Sequence, residues 1–178
     1  SVERLNGNVI GRAVLMPCFV RDMTGDGDLD LVATMFIGFG QNPRGIICFD
    51  VKSGETIWTH TMAPLIAPKF VQSVDLNGDE LPDVLAGSYS TCNFDGEHDG
   101  MDDRHAYLYA LSGRTGSSIW ARCLGGEFTN IEPIIDRQAN GRAAIIAWVH
   151  EDGRPNDVGR SALVRLTLSG DVIARYEH

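Results

Sequence analysis

The sequence lacks any run of about 18 apolar residues, so no segment of it reads as a membrane-spanning helix. It has only four cysteines, Cys18, Cys48, Cys92 and Cys123, and no Cys-x-x-Cys pair, which argues against a zinc ribbon or a thioredoxin-like motif. Cys18, Cys48 and Cys123 lie in or beside apolar stretches, where a buried thiol is the simpler reading. Cys92, next to a polar loop, is the best candidate for a bridge. Positive charge is scarce: 15 Lys and Arg against 24 Asp and Glu leave a formal net charge of -9, with no basic patch, so a nucleic-acid backbone is a poor partner. Also missing are Gly-x-Ser-x-Gly, a phosphate loop and His-Glu-x-x-His, and no catalytic residue is assigned. No helical periodicity stands out either, and the expected class is all-β.

What the chain has is apolar residue, 43% over 178 positions, enough for the core of one domain or part of one. It also has acid in two blocks. Asp22-Met23-Thr24-Gly25-Asp26-Gly27-Asp28-Leu29-Asp30 recurs 53 residues later as Asp75-Leu76-Asn77-Gly78-Asp79-Glu80-Leu81-Pro82-Asp83. Oxygen-bearing residues fall at loop positions 1, 3, 5 and 9, with Gly at 4 or 6 to allow tight turning. That pattern suits a hard cation wanting six to eight oxygens. Magnesium demands a stricter octahedron and keeps its waters, so calcium is favoured. The expected ligands are Asp22, Thr24, Asp26, the carbonyl of Asp28, and Asp30 in the first loop. In the second they are Asp75, Asn77, Asp79, the carbonyl of Leu81, and Asp83. Two bound Ca2+ ions would cancel four of the nine excess negative charges. An EF-hand would put Glu at position 12 with a helix after it; here position 12 is Ala33 or Ala86, inside β-type runs.

Each loop leads into a run rich in branched and aromatic residues, 29–37 (LDLVATMFI) and 81–89 (LPDVLAGSY), and each run is followed by a hairpin. The hairpins are 45–51 (GIICFDV) with 55–60 (ETIWTH), and 106–111 (AYLYAL) with 118–123 (SIWARC). A degenerate third copy places 131–135 before an Asp136 loop, then 143–149, 162–168 and 172–176. Loop starts at 22, 75 and 136 are spaced 53 and 61 apart, with four strands expected per unit, the signature of a propeller or similar array. The third loop has Arg142 at position 7 and Ala144 at position 9, and no ion is expected there. Trp58 and Trp120, each preceded by Ile, are expected to pack between adjacent units.

The acidic loops with their following Leu31-Val32 and Val84-Leu85 resemble the FG-GAP or VCBS-type repeat of integrin alpha-subunit propellers and related secreted proteins. The segments ending in Trp58 and Trp120 resemble the outer hairpin of the quinoprotein-like propeller repeat. The resemblance implies an all-β propeller of about three four-stranded blades, 8–62, 63–126 and 127–178, partial or completed by another chain, since propellers have four to eight blades. It further implies an extracellular setting, secreted or the ectodomain of a cell-surface protein. Ser1 in place of Met fits a trimmed or excised piece.

The expected role is a calcium-stabilised recognition, adhesion or assembly module. The alternative is part of a propeller enzyme, a polysaccharide lyase or hydrolase or a quinoprotein-like oxidoreductase. Loops at the ends opposite the acidic ones are where a protein partner is expected, using Phe94, Asp99, Asp102, Asp103 and Asp152.

Overall fold

β-branched and aromatic runs broken by Gly- and Asp-rich turns cannot hold a helix but suit a pleated, half-buried surface. The computed structural model describes residues 4–5, 8–9, 14–36, 43–93, 97–98, 100–137, 143–152 and 159–178. A two-residue ladder, β1 (Arg4–Leu5) and β2 (Asn8–Val9), comes first. The first four-stranded sheet follows: β3 (Val14–Arg21), β4 (Asp30–Phe36), β5 (Gly45–Asp50) and β6 (Thr56–Thr61). A 3-10 turn at Pro68–Phe70 leads into the second, β7 (Val71–Val74) and β8 (Asp83–Gly87), then β11 (Ala106–Leu111) and β12 (Ser118–Gly125). The short pair β9 (Glu97–His98) and β10 (Met101–Asp102) is inserted between β8 and β11. The third sheet is β13 (Thr129–Arg137), β14 (Ala143–Glu151), β15 (Ser161–Leu166) and β16 (Val172–Glu177). In all three sheets spatial order follows chain order and every pairing is antiparallel.

The second sheet lies between the other two, and its period-2 alternation serves both neighbours. Val84, Ala86, Tyr109 and Leu111 join Val32, Ile46, Cys48 and Trp58 in the core toward the first sheet. Leu85, Ala106, Leu108 and Ala110 join Ile131, Ile145, Ala147, Val164 and Leu166 toward the third. A strand buried on both faces carries apolar residues at consecutive positions, which is why 106–111 reads as one unbroken run. Ala33, Met35 and Ile47 form a small buried cluster of their own, backed by Phe49.

The tryptophans tie the sheets together. Trp58 donates its ring N–H to the carbonyl of Gly113 in the β11–β12 turn at 2.6 Å. Trp120 does the same to Leu168 in the β15–β16 turn at 2.9 Å. On the far face of the third sheet the row Trp148, Leu163 and Tyr176 is aligned by register, and there Trp148 is 42% and Tyr176 61% exposed.

The opening strands β3 and β7 complete the four expected per unit, although β3 shows no clean alternation of buried and exposed positions and β7 has only four residues. Two sequence expectations are corrected. Cys92 forms no disulfide, and its thiol faces the Ser90 carbonyl. Asp136 is not a loop residue. It sits in the ladder opposite Ala144, which carries the third hairpin further than the other two; residues 138–142, including Arg142, lie outside the described residues.

Candidate metal centre

Both acidic loops join the first and second strands of a sheet, and both close at the same register. Position 9 opens the second strand and pairs with the residue before position 1, Arg21 with Asp30 and Val74 with Asp83. Between these ends four hydrogen bonds recur at matching offsets. The position-1 carboxylate accepts from the N–H groups at positions 4 and 6: Asp22 from Gly25 (2.7 Å) and Gly27 (2.9 Å), Asp75 from Gly78 (2.7 Å) and Glu80 (3.1 Å). Position 5 accepts from position 7, Asp26 from Asp28 (2.8 Å) and Asp79 from Leu81 (3.0 Å). Position 9 accepts from position 2, Asp30 from Met23 (2.8 Å) and Asp83 from Leu76 (2.9 Å). The carboxylates curl the backbone around themselves.

That curl requires a left-handed residue at position 6. The first loop meets it with Gly27 at φ 90°, whereas the second places Glu80 there at φ 66°, a conformation that strains a side-chain-bearing residue.

Position 2 breaks the polar pattern for a reason the sequence hid. Met23 and Leu76 point back into the two inter-sheet cores, Met23 toward the first interface and Leu76 toward the second. An apolar residue between two oxygen-bearing ones, Asp22 and Thr24 or Asp75 and Asn77, is the signal that was available. Each anchors its loop by burial worth about 1.5–3 kcal/mol.

Asp75, Asp79 and Asp83 each bring one carboxylate oxygen within 4.8 Å of the others. Ligands 2.3–2.6 Å from a calcium ion lie at most about 5 Å apart, so this triad fits around one cation. Asn77 is folded into the same group, its side-chain oxygen accepting from the Asp79 N–H at 2.8 Å. Leu81 at position 7 donates its N–H to Asp79 at 3.0 Å. Asp83 is well supported by the chain, taking Leu76 on one oxygen and the Gly113 N–H on the other at 3.0 Å.

The first loop is less complete. Asp30 and Asp83 are each only 1% exposed, but Oδ1 of Asp30 and Oγ1 of Thr24 are buried without a hydrogen-bond partner. The Val51 N–H, which corresponds to that of Gly113, goes instead to the Leu29 carbonyl at 3.1 Å. Two orphaned buried oxygens in an acidic loop are a donor set that a hard cation satisfies. The Asp28 side chain is paired with Lys52 at 2.9 Å.

Burial pushes the Asp30 carboxyl above its ordinary range, opposed by the Met23 and Thr24 N–H groups and reinforced by the charges of Asp26 and Asp22. Burial likewise raises Asp83, against the N–H groups of Gly113 and Leu76 and with the charges of Asp79 and Asp75. Both acids are thus short of positive charge. Cys18 and Cys48 are pushed up to about 12 by burial, which keeps these thiols protonated and inert.

By the antiparallel order, the β8–β11 and β14–β15 connections emerge at the ends of their sheets opposite the acidic loops. Phe94 and Asp99 lie outside the described residues. Asp102 binds its own loop through the His105 ring nitrogen at 2.9 Å and the Arg104 and His105 N–H groups. Burial works to raise its carboxyl, and these contacts outweigh that and hold it below the ordinary range. Asp103 departs from the expected partner surface: it is 2% exposed and accepts the Asn93 N–H at 2.9 Å, so it shapes the loop from within. Asp152 is exposed, near His150 and Asn130. At this end a polar cleft of about 350 Å³ is lined by Glu151, Arg160, Arg175 and Glu177.

No family model matches the chain, and no curated protein does. Solved structures do. An exotype rhamnogalacturonan lyase, YesX, superposes with a TM-score of 0.64 at 13% identity over 93% of this chain and 33% of its own. A second rhamnogalacturonan lyase, YesW, gives 0.61 at 13% identity, covering 93% and 34%. The Bacillus licheniformis rhamnogalacturonan lyase PL11 gives 0.58 at 11% identity, covering 98% and 41%. The likeness is one of fold, and the chain spans about a third of the first two neighbours.

Proposed function

We propose that the chain is a cation-pinned segment of a β-propeller in a polysaccharide-acting protein, with calcium in the two acidic loops serving architecture. The observation that carries this reading is the duplicated loop: the same four hydrogen bonds at the same offsets, with the Asp75, Asp79 and Asp83 oxygens gathered in one copy. Three successive four-stranded meanders packed face to face are the arrangement a propeller repeats. The rhamnogalacturonan lyases that share the fold move the polysaccharide reading ahead of the adhesion reading, as an analogy of fold.

In this scheme calcium supplies charge neutralisation. Asp22, Thr24, Asp26, the Asp28 carbonyl and Asp30 hold one ion, and Asp75, Asn77, Asp79, the Leu81 carbonyl and Asp83 the other. The chain's own part is to fix the turn between first and second strands, with Met23 and Leu76 as buried anchors. The saccharide-facing surface is the opposite end, where the cleft around Glu151 and Arg160 is roomy enough for a sugar ring. No catalytic role is assigned to any residue of this segment.

The test has two arms. Melting with EDTA, then with calcium or magnesium restored, is expected to show a fall reversed by calcium, with two ions per chain by elemental analysis. Native electrophoresis in gels containing rhamnogalacturonan is expected to retard the protein relative to gels containing dextran. Melting indifferent to EDTA removes the calcium reading, and equal mobility in the two gels removes the saccharide reading. A second reading, an assembly module in an extracellular adhesion protein, is favoured by the apolar row at Trp148 and Tyr176, which suits another sheet.

A further inference from the structure

Trp58 and Trp120 are each the third residue of the fourth strand of a sheet. Each indole is received by the last turn of the next sheet, Trp58 by a turn closed from the Gly116 N–H to Ser112 and Trp120 by one a residue shorter, closed from the Gly170 N–H to Thr167. Trp58 donates to the Gly113 carbonyl, and its ring lies 2.5 Å from where a Cβ on Gly116 would be. Trp120 donates to the Leu168 carbonyl, with its ring 2.7 Å from a Cβ on Gly170. A residue other than Gly would occupy the space that the indole fills. Both glycines also hold positive φ, 69° and 82°.

The first sheet has the same receptor in its β5–β6 turn. Gly54 has φ 74°, and its N–H donates to the Asp50 carbonyl at 2.9 Å, as that of Gly116 does to Ser112 at 2.8 Å. Val51, which corresponds to Gly113, is 55% exposed. Among the described residues nothing lies within 4 Å of a Cβ built on Gly54. At the other end of the series, the third residue of β16 is Ala174. The first sheet thus has a receptor with no indole, and the third has no indole to offer.

We propose that the turn at 51–54 is a docking site for a tryptophan on the fourth strand of another sheet of this repeat, one that is not part of these 178 residues. A second copy of the chain does not meet the requirement. Of its three tryptophans, Trp58 and Trp120 are already engaged and Trp148 lies on β14, the second strand of its sheet. Residues 1–13 contain no Trp. The occupant is therefore a polypeptide sheet presenting an indole, which donates its N–H to the Val51 carbonyl and lays its ring over Gly54. This inference rests on the proposed reading of the sheets as successive units of one ring.

The test supplies the missing indole. Ala174→Trp gives the third sheet of one molecule a tryptophan for the first sheet of the next, a head-to-tail contact. Light scattering is expected to show a mean mass at least about twice that of the wild type, because heterologous contacts add whole chains. Adding Gly54→Asn, a residue that tolerates left-handed backbone but fills the receptor, is expected to return the mass to the wild-type value. An unchanged mass for A174W, with wild-type melting to show that it is folded, would overturn the proposal. So would assembly that persists in A174W/G54N. Retention by rhamnogalacturonan is measured on the same samples. Its absence would remove the saccharide reading and leave the docking site standing.

Discussion

The first acidic loop and the second have the same backbone bonds but differ in who satisfies their buried oxygens. In the second, Asp83 receives two buried backbone N–H groups, one from Leu76 and one from Gly113 in a distant turn. In the first, the corresponding turn turns its N–H elsewhere, and Asp30 has only local N–H groups, Met23 with Thr24 beside it, and one oxygen without a hydrogen-bond partner. One loop is braced by protein, and the other leaves a buried carboxylate oxygen unmet. The difference shows that a shared motif specifies the shape of a site without specifying how much of its stability comes from the ion.

The sharpest way to break that comparison is to remove the two position-9 acids. Asp83→Ala leaves two buried donors unpaired and is expected to cost about 2–5 kcal/mol in chelator, with a further loss in calcium because the second ion loses a ligand. Asp30→Ala leaves one, costing about 1–3 kcal/mol in chelator, with a further loss in calcium because the bound ion no longer adds its linkage free energy. Chemical denaturation of both variants in both buffers checks this; equal penalties for the two variants in chelator would erase the proposed difference.

Acidity offers the next test. The Asp30 and Asp83 carboxyls are both raised in the folded state, so over the window just above the ordinary carboxylate range the folded protein binds more protons than the unfolded one. Their contribution therefore falls as pH rises through the folded values. Without metal, melting temperature is expected to decline across that window, and calcium is expected to flatten the slope. A stability that climbs with pH in chelator, and that Asp30→Asn leaves unchanged, contradicts the assignment.

A smaller effect concerns position 6. Glu80→Gly relieves the left-handed strain and is expected to stabilise by about 1 kcal/mol, whereas Gly27→Glu should cost a similar amount. The smallest effect is at the exposed pair: Lys52→Met is expected to leave melting unchanged, since exposed ion pairs add little.

Much of this was legible in the sequence because it rested on local chemistry. Alternating oxygens and well-placed glycines located both loops, and the apolar runs located the second, third and fourth strands of the first two units. What escaped depended on contacts distant in the chain. The Gly113 donor to Asp83 is 30 residues away, and nothing in a turn sequence says where its N–H will point. Asp103 resembled its acidic neighbours, yet one member of such a run must turn inward to hold the loop, and composition does not say which. The strand β3 is mostly exposed or half-buried, so it lacks the alternation by which strands are recognised.

The second sheet meets its two neighbours through the same Trp-to-turn contact, one made and one received. Excising it whole would leave Trp58 facing a turn of the kind it already fits, while excising half would leave a cut ladder and a mismatched face. A gene for such a chain is therefore expected to lengthen or shorten in steps of a complete sheet, making the repeat a unit of inheritance as well as of packing.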